Sequence, residues 1–222
     1  MKKWIYLGVL LLGILLPSSV KADHYGIVID GNFSDWATQP KTKLSFAYNN
    51  NNVNKQIAVL RDDQYLYLYL DMDPDGKGHN YRFQGSGWTI SSGRNSTTLS
   101  INTNKQPSVG QMATVTSVWA WSNGTDPDGL VMNQQIAGAT GVVVTQQVRG
   151  NFRDQAEIRI PLAGFIKQPN LVKELTIRNS NLGEQAVTVS GGSTGPFLIA
   201  SAGFIFVLGL VYIHSRKGKK VC

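Results

Sequence analysis

The chain has almost no cysteine and almost no histidine. Of its 222 residues one is cysteine, Cys222, and three are histidine. A single thiol cannot close an intrachain disulfide, so stability must come from packing, ion binding or both. With so few thiols and imidazoles, zinc centres and cysteine–histidine nucleophile chemistry have little to build on. No HExxH or glycine-rich phosphate loop occurs, and the one GxSxG match, "GGSTG" at 191–195, falls in the glycine- and serine-rich stretch before the C-terminal apolar run. Long helical periodicity is missing too, and away from its two ends the chain carries no long apolar run.

The ends are of a different kind from the middle. Lys2 and Lys3, an apolar stretch over 4–16, and small residues at Val20 and Ala22 read as a secretion signal over 1–22, cut after Ala22. The apolar stretch is too short to span a bilayer as a helix, which takes roughly 20 residues. Residues 197–213 contain no charge and precede Arg216, Lys217, Lys219 and Lys220. That pattern predicts a transmembrane helix at 197–213, a basic cytoplasmic tail at 214–222, and everything before the helix outside the cell. Cys222 lies in the tail. The net charge of +7 belongs to these ends, because residues 23–196 hold 14 basic and 14 acidic residues. The basicity therefore serves membrane targeting, and nucleic acid is not expected as a partner.

The exported part is long enough for one domain with a sizeable core. Its signals are short alternating runs. "YLYLYLD" places Tyr65, Tyr67 and Tyr69 on one face and Leu66, Leu68 and Leu70 on the other, the period of a strand. "QIAVL", one "RDDQ" earlier, reads as its hairpin partner. "TLSIN", "ATVTSVWAW", "GVVVTQQV", "QAEIRI" and "LTIRNS" supply further strands, and "PLAGF" a helical or tight turn. Strands this frequent without helices between them predict an all-β, antiparallel sandwich.

Three stretches occur in a telling order: "IDGNFSDW" at 29–36, "IAVLRDDQYLYLYLDMD" at 57–73 and "AEIRIPLAGF" at 156–165. Over roughly 27–167 the pattern resembles the family 9 carbohydrate-binding module and its DOMON-like sandwich relatives. That resemblance implies a sugar-binding β-sandwich. It makes Asp30, Gly31, Asp35 and Trp36 a fold signature. A second stretch, "LTIRNSNLGEQAVTVSGGSTGP" ahead of the apolar segment and basic tail, resembles the Firmicu-CTERM sorting domain. Its recognisable positions are Asn181, Leu182 and Gly183, the run 187–191, and Ser193, Thr194, Gly195 and Pro196. This resemblance implies a Gram-positive surface protein, anchored at the membrane or handled by a sorting or processing protease. There is no LPxTG pentapeptide. The resulting division is a signal peptide (1–22), a β-sandwich ectodomain (23–178), a sorting segment and linker (179–196), a transmembrane helix (197–213) and the tail (214–222).

Within the ectodomain the chemistry-bearing residues are few. Asp30 and Gly31 suit a turn, Asp35 suits a cap that pins the chain, and Trp36 suits the core. "DMDPDG" spaces Asp71, Asp73 and Asp75 two apart before Gly76, the way a tight loop turns oxygens toward a hard cation such as calcium. Arg82 stands where an EF-hand has its bidentate Glu, so this is not an EF-hand. Solvated acidic turns are the plainer reading of the pattern, and of the second "DPDG" with Asp126 and Asp128. Trp119 and Trp121 are two apart and on a strand share a face, either as core or as a stacking platform for sugar rings. Trp88 and the tyrosine row are lesser platform candidates. His79 with Met72, Met112 or Met132 leaves haem ligation as a redox alternative. The sequence thus points to a non-catalytic module that binds a glycan or envelope polysaccharide. A haem-binding redox domain and a structural or protein-binding surface module stand as the alternatives.

Overall fold

The computed structural model describes residues 25–46, 53–74, 82–122 and 133–191. Among these the fold is all-β, one antiparallel sheet of eleven strands with short 3-10 turns. In chain order the strands are β1 (Thr42–Leu44), β2 (Val53–Arg61), β3 (Tyr65–Pro74), β4 (Trp88–Ser92), β5 (Asn95–Thr103) and β6 (Met112–Ser122). They continue with β7 (Gln134–Gln135), β8 (Thr140–Val148), β9 (Asn151–Pro161), β10 (Glu174–Asn179) and β11 (Ala186–Ser190). In space they run β1-β2-β3-β9-β8-β6-β5-β4-β10-β11, with β7 added on β6.

Strand β6 joins the two halves. Its first residues pair with β8, Met112 opposite Val144, and the remainder pairs with β5, Trp119 opposite Ser100. A register shift at Asn102/Thr103 lies near this change of partner, and such a bulge bends and twists a strand locally. Strand β11 comes back alongside β2, so the sheet nearly closes on itself.

The inward positions of both halves fill one core. Leu66, Leu68 and Leu70 of β3 belong to the same buried cluster as Ile90, Leu99 and Ile177 of β4, β5 and β10. The leucines and tyrosines of β3 take opposite faces, as the alternation predicts, yet β3 is buried on both. Its tyrosine face lies under residues 25–37, where Ile27 and Trp36 pack on Tyr67 and Tyr69 in a second cluster. Each fully buried large side chain there contributes about 1.5–3 kcal/mol of burial free energy. "RDDQ" forms the β2–β3 turn, in which Asp62 accepts from the backbone N–H groups of Gln64 and Tyr65. "PLAGF" makes the 3-10 turn Leu162–Gly164.

Strands β1, β4, β7 and β11 have no counterpart in the alternating runs. The last matters for domain limits. Residues 179–191, assigned from sequence to the sorting segment, are part of the fold: β11 pairs with β10 and Leu182 lies in the main core. The signal peptide, the apolar segment 197–213 and the basic tail lie outside the described residues. Among those described, no helix is long and apolar enough to cross a membrane.

Candidate functional site

Beyond its register shift, β6 presents small residues inward and large ones outward. Val118 and Ala120 are buried, while Trp119 and Trp121 are 37% and 40% exposed. The two indoles stack, with ring centroids 6.1 Å apart and planes within 17°. Two large aromatics side by side in solvent make an exposed apolar patch, the kind of surface that can receive a ligand or partner. Their neighbours are short and polar. Ser100 lies opposite Trp119 and Thr98 opposite Trp121 on β5, and Gln135 of β7 flanks Trp119 on the other side. One strand further, Thr89 pairs with Thr98, and Arg178 of β10 pairs with Thr89. Apolar ring faces beside hydroxyl and amide groups match the two sides of a sugar, its C–H face and its hydroxyl edge.

The other aromatic candidates are placed differently. Trp88, expected as a lesser platform residue, is 1% exposed, and its indole N–H donates to the Gln84 carbonyl at 2.8 Å. It occupies the inward side of β4 beside Leu99 of β5, and so belongs to the core. Tyr67 and Tyr69 are buried beneath residues 25–37, with Tyr69 stacked on Trp36 at 5.3 Å. Burial and the nearby Asp71 charge push the Tyr69 hydroxyl up to about 12.

The fold signature works as a clasp on a buried acid. Glu157, on the outward side of β9, is fully buried. Its carboxylate accepts from the Asp30 N–H at 2.8 Å, the Gly31 N–H at 2.6 Å and the Trp36 indole N–H at 3.0 Å. Burial raises its pKa above the ordinary carboxylate value, and the three donors oppose that rise. Asp30 accepts from the Asn32 N–H, forming the expected turn, and Asp35 pins the strap by accepting from the Val28 N–H. Gly31 has φ +85°, and a Cβ there would meet the Met112 sulfur at 3.2 Å, so both backbone and space favour glycine.

The acidic run does not open into a loop where Asp71 and Asp73 lie. Both are on β3 and face arginines. Asp71 is bound bidentately by Arg153 at 2.8 and 2.7 Å, and Asp73 meets Arg149 at 2.7 Å. The bond to Asp71 raises the pKa of Arg153. Among the described residues no three acidic, histidine or cysteine side chains gather as a metal cage. Asp75, Asp126 and Asp128 lie outside them. The haem candidates are not brought together where they can be placed: Met72 is buried, and Met112 projects outward from β6. His79 and Met132 are outside the described residues.

The sorting-signal positions divide at residue 191. Leu182 and Gly183 are buried, and Gly183 packs so closely on Ser45 that a Cβ would come within 2.6 Å of its backbone nitrogen. The Asn181 amide donates to the Ser86 hydroxyl at 3.2 Å. Ser193, Thr194, Gly195 and Pro196 are outside the described residues. Comparison of the chain with protein-family models, characterised proteins and solved structures finds no match.

Sequence reasoning placed Trp119 and Trp121 on one face but could not choose between core and solvent for that face. It missed Glu157, Arg153 and Arg178. A lone Glu between apolar residues in "QAEIRI" is the one signal that would have drawn attention to Glu157.

Proposed function

We propose that the chain is a non-catalytic, surface-displayed module that binds a glycan through Trp119 and Trp121. Its nearly closed antiparallel sheet is read as a DOMON-like sandwich, exported by the N-terminal signal and held at a Gram-positive cell membrane by the C-terminal helix. The observation that carries the reading is the stacked, solvent-exposed indole pair on a sheet face of short polar side chains. The tyrosine face of β3, by contrast, is covered by residues 25–37. The buried carboxylates support a non-catalytic role, since each is held by structural partners. Glu157 is clasped by three N–H groups, and Asp154 accepts from the Thr145 hydroxyl and the Phe83 N–H. No cation is needed at Asp71 or Asp73, which arginines already neutralise.

The test is a screen of the whole chain, purified in mild detergent, against immobilised glycans and envelope polysaccharide, with tryptophan fluorescence as a second readout. Trp119→Ala and Trp121→Ala should each weaken binding about tenfold or more, roughly 1.4 kcal/mol, with melting unchanged. Binding that both variants retain in full would place the site elsewhere. A protein that binds no glycan but captures another protein through the same indoles would make this a protein-docking face.

A further inference from the structure

We infer that the indole pair is one end of an extended site for a linear acidic polysaccharide, whose other end is Arg178; this rests on the glycan-binding reading. The register sets the geometry. Trp121 pairs with Thr98, Thr98 with Thr89, and Thr89 with Arg178, so the four lie in one row across four strands. Three inter-strand steps of about 4.8 Å put Arg178 about 14 Å from Trp121 in backbone terms, too far for one sugar to touch both. Between them Thr98 and Thr89 are short side chains that raise no wall, as is Ser100 opposite Trp119. A face of this form receives the interior of a chain laid across the strands; a closed pocket would instead select a chain end or a single sugar.

Charge chooses the class of chain. The row contains one ionised group, and it is a cation. Arg178 is exposed and makes no ion pair among the described residues. The acid sharing its face on β10 is Glu174, four residues away and so about 13 Å along the strand. A guanidinium presents paired N–H donors that match a carboxylate, and a neutral glycan would leave that fork without its best partner. The row therefore fits a polymer whose repeat carries a carboxylate, stacked on Trp119 and Trp121 and tethered by the acid two or three sugars further on.

The experiment compares the whole chain with its Trp121→Ala and Arg178→Gln variants on polygalacturonate, alginate and fully methyl-esterified polygalacturonan. The ester keeps the backbone and removes the charge. The basic tail is present in every variant, so its own attraction for acidic polymer cancels in the comparison. Arg178→Gln should bind an acidic polymer about fivefold more weakly, and added salt should shrink that difference. Trp121→Ala should lose binding, and monosaccharides should not compete. Equal binding of ester and acid, or of Arg178→Gln and wild type, overturns the acidic assignment while leaving the indole platform standing. Binding unchanged in Trp121→Ala, or no binding to any acidic or neutral polymer, overturns both.

Discussion

Glu157 is a buried carboxylate whose hydrogen-bond donors are all neutral N–H groups. The strap over residues 25–37 is fixed to β9 through it, so single-residue changes at this point should act on the whole strap. Trp36→Phe keeps an aromatic ring in the cluster but leaves one carboxylate oxygen without its donor. It should cost about 1–3 kcal/mol in urea unfolding, the penalty of one orphaned buried polar group. A loss within error of zero would mean that the indole bond is not formed in solution. The pH dependence has a definite sign. Because burial raises the folded pKa of Glu157 above its unfolded value near 4.5, the folded state holds this proton more tightly. Its stabilising contribution is full below the unfolded pKa and is lost as pH rises through the folded pKa. The stability of wild type minus that of Glu157→Gln should therefore fall as pH rises from 4.5. A difference that is flat or rises over that window contradicts the buried, cation-free placement.

At the scale of strands, β3 and β9 are joined by more than their backbone ladder. The bidentate Asp71–Arg153 pair bridges them across their outward faces, with Tyr69 and Gln155 bonded beside it. Asp71→Asn would leave a part-buried guanidinium without its charge partner and should cost about 1–3 kcal/mol, below the 3–5 typical of fully buried pairs. Calcium and chelator should shift the melting temperature of wild type and Asp71→Asn by the same amount, zero included. A calcium-induced rise that disappears in Asp71→Asn would show that a cation displaces Arg153. This pair also shows where sequence reading stops. Short apolar runs located β2, β3, β5, β6, β8, β9 and β10, and local turn chemistry located the roles of Asp30 and Asp35. Whether an acid meets a cation or an arginine depends on a residue 82 positions away, which no local pattern encodes. The tryptophans fail for a related reason. Alternation says that Trp119 and Trp121 share a face, and the larger apolar area argues for turning them inward. The core instead takes Val118 and Ala120, beside bulk that Leu99 of β5 and the buried Trp88 of β4 already supply in the same half of the sheet.

For the molecule as a whole, the question is where the folded unit ends. The sequence pattern ends the ectodomain at 178 and assigns residues 179–196 to a sorting segment, whereas the sheet runs on through β11 to Ser190. Three contacts make the difference physical. Leu182 is fully buried in the main core, Asn179 is buried with its amide on the Ser86 carbonyl, and Val187 and Val189 pack against the core from β11. Losing Leu182 alone should cost about 2–5 kcal/mol by analogy with buried leucine truncations, and stripping β11 exposes the edge of β10 as well. Set against a total of about 5–15 kcal/mol for an ordinary domain, those losses are large enough to unfold it. A chain ending after residue 178 should therefore lack cooperative thermal unfolding and near-ultraviolet circular dichroism, whereas one ending after residue 191 should retain both and melt within a few degrees of the whole chain. If both melt alike, β11 and Leu182 are dispensable and the sorting segment is an appendage. If only the longer chain folds, any protease that handles this protein must cut beyond residue 191 or act before the sheet has closed.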